Sequence, residues 1–276
     1  DMLRDVTSDK LDFYIETPGG SGESAEEIVR CLRRMFNDIT FVVSGQAKSA
    51  GTLLVLSGNE ILMTESGSLG PIDAQVQIGR YRVSAYDYLE WVKEKQKEAQ
   101  EKEKLNPFDA TMVAQISPGE LKGVYNSLRF AEDLVVDWLP KYKFKNWDYT
   151  ETRGIPVTAE MKHDRAKEIA EELTNHGKWR THGRSIKIKD LEEIGLKIIS
   201  ADNTPELADL IYRIQTVIRL LFSTTSTYKI FATSDEKILK QAVPAGKVSQ
   251  LPGQIHNEEL KAVNVGIRCP RCGKEH

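Results

Sequence analysis

Two consecutive strand–turn–helix units with glycine-bearing turns constrain this chain most. Residues 11–17 read as a strand, Pro18-Gly19-Gly20-Ser21-Gly22 as its turn, and the run from Ser24 as a helix. In that helix Ser24 and Glu27 have capping-box spacing, and Ile28, Cys31 and Leu32 are expected to form the buried face. The second unit passes from Thr40-Phe41-Val42-Val43 through Gly45-Gln46-Ala47-Lys48-Ser49-Ala50-Gly51 into the apolar run Thr52-Leu53-Leu54-Val55-Leu56. In a parallel sheet such turns lie side by side at the carboxyl ends of the strands, where open α/β folds place their sites. The Gly19 and Gly20 amides are therefore expected to face Ser49.

An elbow of small residues around one serine lifts its hydroxyl into a cleft and aims the following amide at the same point, as acyl transfer requires. The same residues also suit an ordinary βα loop in which Ser49 caps the helix. The motif alone leaves both readings open.

At 276 residues, with 40% hydrophobic and 29% charged residues, the chain suits one large domain with an appendage, or two small domains. A net charge of −3 carries no bias towards polyanions, so nucleic acid is not an expected partner. The most apolar long run, residues 207–222, is broken by Asp209, Arg213, Gln215 and Arg219 and reads as an amphipathic helix. Membrane association is expected only through segments outside this sequence. Cys31, Cys269 and Cys272 make no disulfide framework, which points to a reducing, cytoplasmic setting. Cys269-Pro270-Arg271-Cys272 followed by Gly273-Lys274 has the spacing of half a zinc ribbon, with His276 the nearest third ligand. A structural zinc needs four ligands, so it is an option and not a requirement. No other cofactor is called for.

Further helices are expected over residues 86–104, from Pro118 to Pro140 with Leu121, Val124, Tyr125, Leu128, Leu134, Val135 and Trp138 buried, and over residues 159–175. Between Lys141 and Thr158 aromatic and basic residues alternate, and an insertion that packs its aromatics back on the body is expected. A short helix ends at Gly195, and a helix and a strand follow near residues 207–222 and 227–233. His163 and His176 read as surface residues.

Thr17-Pro18-Gly19-Gly20 after a strand, Ala47-Lys48-Ser49-Ala50-Gly51-Thr52, and Leu69-Gly70-Pro71-Ile72-Asp73 together resemble the Clp-fold serine peptidases, which include the Clp proteolytic subunit and signal peptide peptidase A. The branch called serine dehydrogenase proteinase is the more similar. There, too, a stretch like Gly177-Lys178-Trp179-Arg180-Thr181-His182 precedes a helix like the one ending in Gly195-Leu196. The resemblance covers roughly residues 1–200. It implies an α/β fold of the ClpP/crotonase type, a repeated ββα superhelix, with its first strand before Asp1 and residues 201–276 as a C-terminal extension.

The resemblance also implies a serine peptidase that cleaves peptide bonds in protein or peptide substrates as a homo-oligomer. Ser49 would be the nucleophile, with the amides of Ala50 and of Gly19 or Gly20 as the oxyanion hole. Clp peptidases place a histidine where this chain has Ile72-Asp73, and an aspartate where it has His182-Gly183. An exchanged triad follows, with His182 as base and Asp73 as its orienting partner. A lysine base, as in signal peptide peptidases, is the alternative, with Lys122, Lys141 and Lys143 as candidates. Lys48 adjoins Ser49, but neighbouring side chains at a turn seldom converge. Two other functions remain open: a crotonase-type acyl-CoA enzyme, which needs no serine nucleophile, and a non-catalytic scaffold.

Overall fold

A computed structural model describes residues 2–3, 6–78 and 80–242. Cys269, Cys272 and His276, and with them the zinc expectation, lie outside the described residues. In chain order the first elements are β1 (Lys10–Tyr14), α1 (Gly22–Met35), β2 (Asp38–Val43), β3 (Gln46–Ala47), α2 (Ala50–Leu56), β4 (Glu60–Met63) and β5 (Ser68–Leu69). There follow β6 (Gln75–Ile78), β7 (Tyr81–Ser84), α3 (Ala85–Lys102), α4 (Pro107–Val113), α5 (Pro118–Lys141), α6 (Ala159–Thr174), α7 (His176–Trp179) and α8 (Ile188–Glu193). The last are β8 (Ile199–Ser200), α9 (Pro205–Thr224), β9 (Thr227–Ala232) and β10 (Lys237–Gln241).

The chain is mixed α/β around a parallel sheet of order β1-β2-β4-β8. Strand alternation sends Ile39, Phe41 and Val43 of β2 to one buried face, and Ile61 and Met63 of β4 lie beside them. Helix α2 is buried nearly all round, as its unbroken apolar sequence requires. It packs on α1 and α5, and α5 packs on α6. Burying each large side chain of this core contributes about 1.5–3 kcal/mol before the entropy of ordering is counted.

Helix α1 starts a turn earlier than its sequence suggested. Ser21, not Ser24, is the cap, and its side chain accepts the Ser24 N–H at 3.1 Å. The buried face is accordingly Ala25, Val29 and Leu32, while Ile28 and Cys31 are exposed. In α5 the expected core position Tyr125 is exposed, and Ala131 and Leu139 are buried with Val124, Leu134, Val135 and Trp138. The insertion after α5 folds back, with Phe144 buried and Trp147 packed on the core, although Tyr149 stays exposed.

A second, shorter ladder matters more for function. β3 pairs in parallel with β5, Thr17 bridges Ala47, and Leu69 bridges Ile186. Four distant segments thus lie side by side, joined by Thr17 N–H to Gln46 O at 2.7 Å and by the reciprocal Leu69–Ile186 pair at 3.0 Å each. The wholly buried Thr52 hydroxyl locks α2 to this ladder. It accepts the Gly70 N–H at 3.0 Å and lies 2.8 Å from Ala47 O and 3.0 Å from Gly70 O.

Contacts divide the chain into two compact units, Asp1–Arg219 and Leu220–His276. In the first, buried Gln215 of α9 donates to Ser44 O at 2.7 Å, which fixes that helix at the carboxyl end of β2. In the second, β9 and β10 form an antiparallel hairpin. Among the described residues no helix is long and apolar enough to cross a membrane.

Thr52→Val keeps the shape but leaves the Gly70 N–H without its acceptor, and should destabilise the protein by about 1–3 kcal/mol in urea unfolding. A loss under about 0.5 kcal/mol, the scatter of surface substitutions, would contradict the assigned lock.

Candidate active site

Ser49 stands at the junction of β3 and α2 with φ 52° and ψ −119°. An L-residue rarely holds this conformation, and a strained serine between strand and helix is the geometry of a nucleophile elbow. Although Ser49 occupies the N-cap position, its side chain makes no capping bond. The ordinary-cap reading therefore fails. No hydrogen bond of any kind ties its hydroxyl to another described residue.

The glycine turn meets the elbow directly. Gly19 has φ +113°, and a Cβ there would stand 2.9 Å from both Ser49 Cβ and Lys48 O. Only glycine permits that approach. The Gly19 N–H is engaged with Thr17 Oγ1 at 3.2 Å. The N–H groups of Gly20 and Ala50 have no acceptor among the described residues, and Ala50 is the first residue of α2, where amides point out of the helix.

Asp73 and His182, 109 positions apart, are paired: His182 Nδ1 lies 2.8 Å from Asp73 Oδ1. A carboxylate only accepts, so Nδ1 carries the proton and Nε2 of the neutral ring is left as the acceptor. Asp73 is 1% exposed, and Gln75 Nε2 donates to its other oxygen at 3.1 Å. Sequence reasoning missed Gln75, since nothing distinguishes a single glutamine two residues after the aspartate. Ser49, Gly19, Gly20, Ala50, Asp73 and His182 all line one groove of about 960 Å³, with Leu53, Ile72, Phe130 and Ala131 as its apolar wall. The groove brings the expected catalytic residues together, but Ser49 Oγ and His182 do not hydrogen-bond in this state. A serine activated through this ring would need His182 to close onto it, as catalytic contacts commonly do on substrate binding.

Lysines fare differently. None of Lys122, Lys141 and Lys143 lines the groove. Lys141 pairs with Asp137 at 2.5 Å on the surface of α5, and Lys143 reaches Glu60, at the amino end of β4, at 2.9 Å. That is the end of the sheet away from Ser49. Lys48 is buried, and its Nζ donates to Leu69 O, Arg184 O and Ser185 Oγ at 2.8, 2.9 and 3.0 Å. Burial first, and then the neighbouring Lys187 charge, lower its pKa from 10.5 to about 8. His176 is paired with Asp87 at 2.7 Å beside a second groove containing Tyr88, Trp91 and Met112. Among the described residues no cluster of histidine, cysteine and carboxylate side chains could hold a metal ion.

Because the folded chain binds the Lys48 proton less tightly than the unfolded chain does, the folded state is penalised below about pH 8. That penalty is relieved as pH rises from about 8 to 10.5. The stability of the wild type relative to Lys48→Met should therefore increase across this window in paired urea titrations. A flat or falling difference would contradict the lowered pKa.

The chain is similar to several known proteins. Two uncharacterized proteins of Methanocaldococcus jannaschii, MJ0137 and MJ1495, are each 28% identical to the chain. The first match spans 205 residues, 74% of this chain and 58% of the relative, and the second spans 188 residues, 68% and 51%. The chain thus spans little more than half the length of these relatives. Among solved structures, a serine-to-alanine mutant of the membrane-bound stomatin-specific protease 1510-N aligns at 13% identity with a TM-score of 0.40, covering 75% of this chain and 70% of that one. Residues 2–137, which carry the glycine turn, the Ser49 elbow and Asp73, match the model of the ClpP-like SDH-type serine proteinases, and over this stretch the chain is similar to that family.

Proposed function

We propose that the protein is a serine peptidase in which Ser49 forms an acyl-enzyme with the carbonyl of a peptide bond. The observation that carries this reading is the strained Ser49, free of any capping bond, in one groove with the His182–Asp73 pair. Ser49 Oγ attacks the carbonyl carbon while His182 Nε2 takes its proton. The carbonyl oxygen becomes an oxyanion held by the Ala50 and Gly20 amides, with the Gly19 amide available if it leaves Thr17. The C–N bond then breaks as His182 returns the proton to the departing amine. A water molecule, activated by the same ring, attacks the ester and releases the acid and the serine. Asp73 stays ionised throughout, fixing the tautomer of His182 and stabilising the ring while it is charged. No step calls for a cofactor.

We further infer that the protein works as a homo-oligomer built on the repeated ββα plan. The succession β2–β3–α2–β4–β5 supports that plan. The exposed Leu210, Ile214 and Val217 on α9 support burial against a second copy.

A fluorophosphonate should label Ser49, and Ser49→Ala should abolish labelling while the circular dichroism spectrum is kept. His182→Gln should slow labelling at least about 100-fold, and Asp73→Asn should retain a small residue of the rate. Absence of labelling in a folded, assembled wild type would favour the scaffold or crotonase alternatives, and undiminished labelling of His182→Gln would remove the triad.

A further inference from the structure

Lys48 is covalently next to the nucleophile, yet its side chain runs away from the groove and under the His182 loop. An ammonium has three N–H donors, and Leu69 O, Arg184 O and Ser185 Oγ use all three. No carboxylate is among these partners, so a cation is kept 6% exposed by neutral oxygens alone. An apolar side chain of similar length would avoid the desolvation that this requires. What it could not do is join three chain segments at one point.

Those segments are the ones that carry the proposed triad. Lys48 itself precedes Ser49. Leu69 ends β5, from which Gly70, Pro71 and Ile72 lead to Asp73. Arg184 and Ser185 follow His182 across Gly183. The backbone ladder holds this loop only at Ile186, four residues from His182, and Lys48 brings the anchor to Arg184, two residues away. The aliphatic stem presses on the same path: a Cβ on Gly70 would lie 2.7 Å from Lys48 Cδ. His182 itself is held by its contact with Asp73, and its side chain is 29% exposed, so the loop's anchoring decides where the ring can travel.

We propose that Lys48 is a positioning residue that clamps the His182 loop and the segment leading to Asp73 to the elbow, setting the approach of the imidazole to Ser49. The proposal rests on the triad reading above. It assigns Lys48 no proton transfer with substrate.

The test is inactivation by a fluorophosphonate, with kinact and KI measured per folded molecule for wild type, Lys48→Met, Ser185→Ala, His182→Gln and the two combinations with His182→Gln. Lys48→Met should lower kinact about 100-fold, the effect of an ångström-scale misplacement, with KI changed less than about threefold. In the His182→Gln background the same substitution should have no further effect, because the clamp acts through the ring. Ser185→Ala removes one bond and should lower kinact about tenfold, again only when His182 is present. It decides the matter if Lys48→Met does not fold. An unchanged kinact, or equal losses with and without His182, would overturn the clamp while leaving the triad standing. Wild-type kinact in His182→Gln alone would overturn the triad reading and the clamp together.

Discussion

The site depends on a ladder only four residues wide: Thr17, Ala47, Leu69 and Ile186. Ala47, Leu69 and Ile186 are wholly buried, and each of the four lies within a few positions of a functional segment. Thr17 leads into the glycine turn, Ala47 into the Ser49 elbow, Leu69 towards Asp73, and Ile186 follows the His182 loop. Backbone pairing fixes register to a single residue, and a slip of one would turn every side chain to the other face. The ladder therefore converts four remote stretches of sequence into one groove wall.

Holding Ser49 at φ 52° costs about 1–3 kcal/mol, which the surroundings must overcome. They do so through burial of α2 and the Thr52 lock on one side, and Gly19 pressed against Ser49 Cβ on the other. The serine has no freedom to relax into a capping role. Among the described residues its hydroxyl has no partner in the groove and the amide behind it has no acceptor, so the strain and the unpaired groups fall at the same place. Lys48 and Lys143, whose side chains are both buried, show how differently one side-chain type can be used. Lys143 is held by a carboxylate at the amino end of the sheet, and Lys48 by neutral oxygens beneath the groove.

Much of the fold was legible because strand alternation and turn chemistry are local. The succession from Phe41 and Val43 through Gly45 to Leu53 announced a strand, an elbow and a buried helix, and the Pro18-Gly19-Gly20 turn announced its neighbour. The Ser24 cap misled because Ser21, three residues earlier, competes for the same role, and with the start displaced the apolar face turned from Ile28 and Cys31 to Ala25 and Val29. The partnership of Asp73 and His182 came from resemblance to a family and not from spacing, since no local pattern links residues 109 positions apart. Gln75 and the direction of the Lys48 side chain were beyond sequence altogether. Each is decided by which backbone oxygen or carboxylate tertiary packing leaves within reach.

The most direct measurement is a crystal structure of the protein after reaction with a fluorophosphonate, whose tetrahedral phosphorus stands in for the carbon under attack. The account predicts phosphorus bonded to Ser49 Oγ, one phosphoryl oxygen about 3 Å from the Ala50 and Gly20 nitrogens, and His182 Nε2 within about 3 Å of Oγ or of the oxygen replacing the leaving group. A phosphoryl group on another residue, or one on Ser49 with its oxygen turned away from both amides, would contradict it.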